Sequence, residues 1–236
     1  MIRLPQQRRR ANSAASVLIL LLVLLTTGCG GGGGSTSGRV ASNIQRLVAT
    51  ADEVAEYNNI WGKIPTAGQQ RRQSAILDDA TSQGLTALRS TPTRTASEQF
   101  LDLYQSTSAD IVTLVGHNDG GIFRFPDASW VDLREVGGDG GPIIALISCD
   151  SAVYASGQAV GLPTPVTIEL AVDVEQRFVT KVGALQALPS VAEAERLLVE
   201  ALSEAADARA ERFVYMTLTG VGSGVVAGIS IHEVVT

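Results

Sequence analysis

The chain has 236 residues, with 18 Lys and Arg against 24 Asp and Glu and a formal net charge of −6. Nucleic-acid binding needs a basic face, and none is legible here, so that class of partner is set aside. Hydrophobic residues make up 45% and aromatic ones 5%, and the abundance of Ala, Val and Leu suits helices packed on a sheet better than an all-β protein.

Residues 1–28 read as an export leader. Arg3, Arg8, Arg9 and Arg10 form a basic start, and Val17 to Leu25 is an apolar run well short of the ~20 residues that span a bilayer. The small residues Thr26, Thr27 and Gly28 mark a processing site. Removing this leader takes away four arginines and no acid, moving the balance from −6 to −10. The stretch Leu25-Thr-Thr-Gly-Cys29 resembles the lipobox of bacterial lipoproteins, with its leucine one place early. The resemblance implies that Cys29 is lipidated and becomes the new N-terminus, anchoring an exported protein to a membrane of the bacterial cell envelope. Gly30 after the cysteine suits the periplasmic side of an outer membrane, in a cell that has one. Gly30 to Gly38 is a flexible leash with a reach of about 16 Å, so residues 29–40 are lipidated Cys and tether. No strand precedes this Gly run and no Lys-Ser/Thr follows it, so it is not a phosphate cradle.

Beyond the tether, helical spacing of Ile44, Leu47, Val48, Ala51, Val54 and Ala55 predicts a helix over 42–60, with Ser42 and Gln45 as a capping box. A second helix is expected over 69–89, through Ile76, Leu77, Ala80, Leu85 and Leu88. Thr95 with Glu98 opens a third, carrying Phe100, Leu101 and Tyr104. Ile111 to Val115 is continuous, β-branched and apolar, the mark of a strand buried on both faces. The turn Asn118 to Gly121 leads to a short strand over 122–125. Residues 129–136 read as helical, and Ile143 to Ile147 is a second buried strand. A small-residue helix is expected over 151–160 and a third strand over 165–172, flowing into a helix through Phe178 and Val182. Val191 to Ala210 is an amphipathic helix. Phe213 to Thr219 and Val225 to Val235 read as strands around a turn at Gly220 to Gly224. Strands alternating with helices imply a three-layer α/β/α sandwich with a mostly parallel central sheet. On this reading a helical part, 41–106, packs on an α/β core, 107–236.

Both buried strands stop on chemically distinctive residues, the first at His117 and the second at Cys149, in a chain with two of each type. In parallel sheets, functional side chains gather just beyond the carboxyl ends of the strands. A thiolate is a strong nucleophile when a base stands near it, and an imidazole titrating around 6.5 can be that base. Two cysteines in an exported protein suit a disulfide, but a lipidated Cys29 would leave Cys149 without a partner in the chain. Taken singly, a cysteine after an apolar strand is usually a small core residue, and a histidine at a strand end is usually a hydrogen-bonded cap. The other histidine, His232, sits on an expected solvent face. No spacing matches a metal site, and no motif calls for a cofactor.

The blocks Ala109-Asp-Ile-Val-Thr-Leu-Val-Gly-His117, Trp130-Val-Asp-Leu133 and Ile144-Ala-Leu-Ile-Ser-Cys149-Asp-Ser-Ala152 resemble the caspase-like cysteine peptidases, most closely CHAT and metacaspase domains, over about 108–172. That resemblance implies a caspase-like fold and peptide-bond hydrolysis by a Cys149–His117 dyad. Cys149 would attack the carbonyl, His117 would protonate the leaving amine, and backbone N–H groups of Asn118 and Cys149 would hold the oxyanion. Asn118 stands where the family usually has Gly, which keeps the backbone donor. Ser148 stands where metacaspases carry an acid for a basic substrate side chain, so Asp150 and Asp173 are the substrate-binding candidates. The expected partners are a peptide or protein substrate and a membrane, reached through Cys29. The alternative is a surface lipoprotein that binds without catalysis, including an inactive caspase-like homologue.

Overall fold

A computed structural model describes residues 43–219, with side chains described to 210. The export leader, Cys29, the tether, Ser42, the expected strand over 225–235 and His232 lie outside the described residues. Among the described residues, five parallel strands form the central sheet: β1 (Ile44–Val48), β2 (Thr86–Ala87), β3 (Ile111–Val115), β7 (Ile143–Ile147) and β8 (Ala159–Gly161), in the order β2-β1-β3-β7-β8. A second, antiparallel sheet, β4 (His117–Asp119), β5 (Ile122–Arg124) and β6 (Trp130–Asp132), is inserted between β3 and β7. The helices are α1 (Val54–Trp61), α2 (Ala67–Ser82), α3 (Ala96–Ser106), α4 (Ile168–Gly183) and α5 (Val191–Thr219), with single 3-10 turns at Leu133–Glu135 and Ser151–Val153. None of the described helices is long and apolar enough to cross a membrane.

Because β3 and β7 are covered on both faces, every one of their residues is buried, and alternate positions feed two separate cores. Ile111 and Val115, with Ile143, Ala145 and Ile147, face α2, α4 and α5. Val112 and Leu114, with Ile144 and Leu146, face α3 and the small sheet through Phe100, Phe123 and Phe125. The expected α/β/α sandwich with a mostly parallel sheet is therefore the observed architecture.

The expected helix over 42–60 is instead β1, a loop and α1. Residue 46 explains the misreading. Arg46 points inward on a strand that pairs with β2 and β3, so the run carries no clean strand alternation. Its Nε and Nη2 donate to Glu175 at 2.8 and 2.5 Å, and Thr113, its rung partner on β3, donates to the same carboxylate at 2.8 Å. Glu175 is fully buried, which a carboxylate accepts only when paired and hydrogen-bonded. Residues 41–106 are thus no separate helical part: they supply β1 and β2 to the one sheet.

Five further segments depart from expectation. The helix expected over 69–89 ends at Ser82 and gives way to β2 after Gly84, whose φ is +91°. The segment 129–136 is mostly strand β6, paired with β5. The expected strand over 165–172 is the start of α4: Thr167 caps it by accepting from the Leu170 N–H at 3.3 Å. There the alternation of Val166, Ile168, Leu170 and Val172 conceals a helical face of Ile168, Ala171, Val172, Glu175 and Phe178, all buried. Residues 213–219 continue α5 as helix, since extending an existing helix avoids the cost of nucleation. The expected helix over 151–160 is a single 3-10 turn followed by β8, for a steric reason given below.

Candidate functional site

The strand order reverses between β1 and β3, and in open parallel sheets that reversal opens a crevice beyond the carboxyl ends of the strands. His117 leaves β3 at this point. β3 and β7 are neighbours, with Val115 opposite Ile147, so His117 and Cys149 each stand two residues past the same rung of strands ~4.8 Å apart.

Local sequence enforces this exit. At Gly116, a Cβ would lie 2.5 Å from the Phe123 ring and 2.8 Å from the Ala49 carbonyl oxygen, so only glycine lets β1, β3 and the small sheet close together. The chain then enters β4, where His117 pairs with Arg124 and Asn118 with Phe123. Gly120 and Gly121, at φ +62° and +90°, form the tight two-residue turn that a hairpin twist favours. Asn118 is 5% exposed and spans the site. Its Oδ1 accepts from the Gly121 N–H at 2.9 Å, and its Nδ2 donates to the Cys149 carbonyl at 2.7 Å. Expected only as a backbone donor, Asn118 is also the tie between the histidine hairpin and the cysteine loop. In a two-residue hairpin its rung with Phe123 is the non-hydrogen-bonded kind, so its N–H faces away from β5.

The cysteine loop is equally constrained. Asp150 adopts a left-handed conformation, φ +49°. Ser151 is fully buried, its hydroxyl placed 2.6 Å from the Leu146 carbonyl and 2.9 Å from that of Ser148 while accepting from the Leu162 N–H. Gly161 of β8 lies so close beneath that a Cβ there would sit 2.4 Å from the Ala152 nitrogen. This contact, with the sharp turn at Asp150, is why 151–160 does not become a helix. The Cys149 N–H donates no hydrogen bond among the described residues.

The Cys149 thiol is half-buried and donates to the Val166 carbonyl at 3.3 Å, while the Val166 N–H lies 3.5 Å from the sulfur. Val166 stands two residues before α4, so the amino end of a 16-residue helix lies near this loop, a favourable setting for negative charge. His117 rests on Trp61 of α1, ring centroids 4.1 Å apart. Its Nδ1 is enclosed without a hydrogen-bond partner among the described residues, leaving Nε2 as the nitrogen available for proton transfer. Burial pushes the imidazole below its ordinary pKa; Asp119 pulls it up and Arg124 pushes it down. The ring is therefore neutral at neutral pH, the form that accepts a proton.

His117 and Cys149 are not hydrogen-bonded to each other. Beside them lies a pocket of about 310 Å³ whose walls include Tyr57, Trp61, Gln69, Arg72, Val166 and Glu169 but neither His117 nor Cys149. Trp61 touches the histidine and Val166 touches the cysteine, and both line this one space. Another depression, about 750 Å³, lies at the amino ends of β3 and β7 beside Asp110 and Pro142, the wrong end of the sheet for this chemistry. Asp150 flanks Cys149 as a half-buried residue. Asp173 lies one helical turn beyond Glu169 and is ion-paired to Arg209 at 2.9 Å. The residues that sequence reasoning missed are Trp61 and Val166. A tryptophan immediately before Gly62, in the connection leaving an inner strand, would have been a signal had β1 been recognised. Among the described residues, no three His, Cys, Asp or Glu side chains converge as metal ligands do. Compared with known proteins, the chain matches no family model and none of the curated sequences.

Proposed function

We propose that the chain is a cysteine peptidase of caspase-like type, held to a bacterial envelope membrane through lipid on Cys29, with Cys149 as nucleophile and His117 as general base and acid. The observation that carries this reading is positional: the two residues leave adjacent parallel strands at the same level beside the switch point of the sheet, and the residues they touch, Trp61 and Val166, line one pocket. In the mechanism, Nε2 of His117 takes the thiol proton and the sulfur attacks the scissile carbonyl carbon. The N–H groups of Cys149 and Asn118 receive the oxyanion. Collapse of the tetrahedral adduct breaks the C–N bond, and His117 returns its proton to the amine. Water then attacks the thioester, gives a proton to His117, and releases the acid and the free thiol.

Labelling with a peptidyl acyloxymethyl ketone tests the reading. Wild type is expected to be labelled at Cys149, with Cys149→Ala unlabelled and His117→Ala slowed at least a hundredfold; equal labelling of all three removes the proposal. One observation favours a second reading, a binding lipoprotein without catalysis: the thiol is held by the Val166 backbone rather than by His117. In that case the reagent labels nothing, although the protein is folded. The anchor is checked separately, by incorporation of a fatty-acid analogue that is lost in Cys29→Ala.

A further inference from the structure

A catalytic imidazole is usually oriented by a third group that hydrogen-bonds its far nitrogen. In this site Nδ1 of His117 is enclosed and finds no partner among the described residues. The indole of Trp61 lies against the ring instead, 4.1 Å between centroids with the planes at 45°. Trp61 is itself held firmly. It is the last residue of α1, which ends at Gly62 with a left-handed φ of +61° and an N–H bonded to the Asn58 carbonyl at 2.8 Å. One turn earlier, Tyr57 packs on it at 6.0 Å, and both aromatic residues line the pocket that Val166 shares. The indole Nε1 is also enclosed without a partner among the described residues, so Trp61 acts on His117 by contact and shielding and not by a hydrogen bond.

We infer that Trp61 is the positioning residue of the site, its indole replacing a hydrogen-bonding third residue by fixing the plane of the His117 ring and keeping water from it. The chemical consequence rests on the Cys149–His117 reading; the ring contact stands apart from it. The charged groups acting on His117 are Asp119, two residues along β4, and Arg124, opposite it on β5. Glu56 of α1 is turned away, accepting from the Asp52 N–H at 3.2 Å and pairing with Arg89 at 3.3 Å. With these charges of opposite sign near the ring, shielding by Trp61 is what keeps it uncharged near neutrality and ready to take the thiol proton.

The chain has two tryptophans and two histidines, which makes the contact directly readable. In the full chain carrying Trp130→Phe and His232→Gln, emission comes from Trp61 alone and imidazole titration from His117 alone. Contact with imidazolium quenches indole emission, so emission is expected to fall on acidification with a midpoint below about 6.5 and to be flat when His117→Gln is added. By NMR, the His117 midpoint is expected to rise toward its ordinary value in Trp61→Ala and to stay depressed in Trp61→Phe. Peptidyl acyloxymethyl ketone labelling is expected to fall at least tenfold in Trp61→Ala and to be largely rescued by Trp61→Phe. Emission indifferent to pH in the native-Trp61 protein overturns the inference, and so does a His117 midpoint unmoved by Trp61→Ala. If no protein is labelled, the peptidase reading fails alone, and emission and NMR still decide the role of Trp61.

Discussion

Asn118 offers the sharpest test of how this site is held together. Asn118→Ala removes two hydrogen bonds, to the buried Gly121 N–H at 2.9 Å and to the Cys149 carbonyl at 2.7 Å. Each bond is worth about 1 kcal/mol net, and a buried donor left unpaired costs a further ~1–3 kcal/mol. The Cys149 carbonyl is only partly buried and can recover a water, so the total expected loss is about 2–4 kcal/mol. With a urea m-value of roughly 2 kcal/mol/M, the unfolding midpoint drops by about 1–2 M. Asn118→Asp separates the two arms, because an acid still accepts from Gly121 but presents a second acceptor to the Cys149 carbonyl. It is expected to lose at least as much stability as the alanine variant, because its nearly buried carboxylate would face the Cys149 carbonyl, and to label Cys149 as slowly, since the carbonyl arm positions the nucleophile. Alanine within about 0.5 kcal/mol of wild type, with labelling unchanged, would show that the tie holds nothing.

Arg46→Met leaves the Glu175 carboxylate buried with Thr113 as its remaining partner and is expected to cost about 3–5 kcal/mol, whereas Arg46→Met/Glu175→Leu recovers most of that loss; urea unfolding in a double-mutant cycle measures it. Gly161→Ala drives a methyl into the Ala152 backbone and is expected to cost about 1–3 kcal/mol and to slow labelling of Cys149. Gly120→Ala, whose Cβ meets open space at φ +62°, costs about 1 kcal/mol by backbone strain alone and is the control. Burial lowers the His117 pKa in the folded chain, so the unfolded chain binds the proton first. That contribution to stability is present in full above the unfolded value near 6.5 and is lost as pH falls through the lower folded value. Urea midpoints should therefore decline more steeply on acidification in wild type than in His117→Gln; parallel curves would contradict it.

The layers of this fold were legible where side chains meet one environment. Ile111 to Val115 and Ile143 to Ile147 are buried on every residue, so composition alone marks them as inner strands. Thr95 and Glu98 mark a helix start because both halves of the capping box are in the sequence, and both bonds form. Legibility failed where tertiary partners rewrote the local pattern. Arg46 breaks the alternation of β1 because its partner, Glu175, is 129 residues away. Thr167 looks like part of a strand until its hydroxyl is seen capping α4. For the site, His117 and Cys149 could be placed at strand ends from their neighbours, and adjacency followed from pairing. Trp61 could not be placed, because its role depends on β1 being a strand at the switch point.

The same ion pair that hid β1 also shapes the site. Glu175 lies on α4 and binds both Arg46 of β1 and Thr113 of β3, the two strands between which the crevice opens. Fixing α4 there sets where its first turn falls, and Val166, just ahead of that turn, is the group that meets the Cys149 sulfur. Wild-type geometry therefore couples a charge in the middle of the sheet to the position of a thiol at its end. Replacing the pair by Met and Leu restores packing but removes three directional bonds to a single carboxylate, so α4 gains freedom to slide along the sheet. Stability that recovers while labelling of Cys149 stays slow would separate these two roles. Recovery of both would mean that apolar packing alone holds α4 in place.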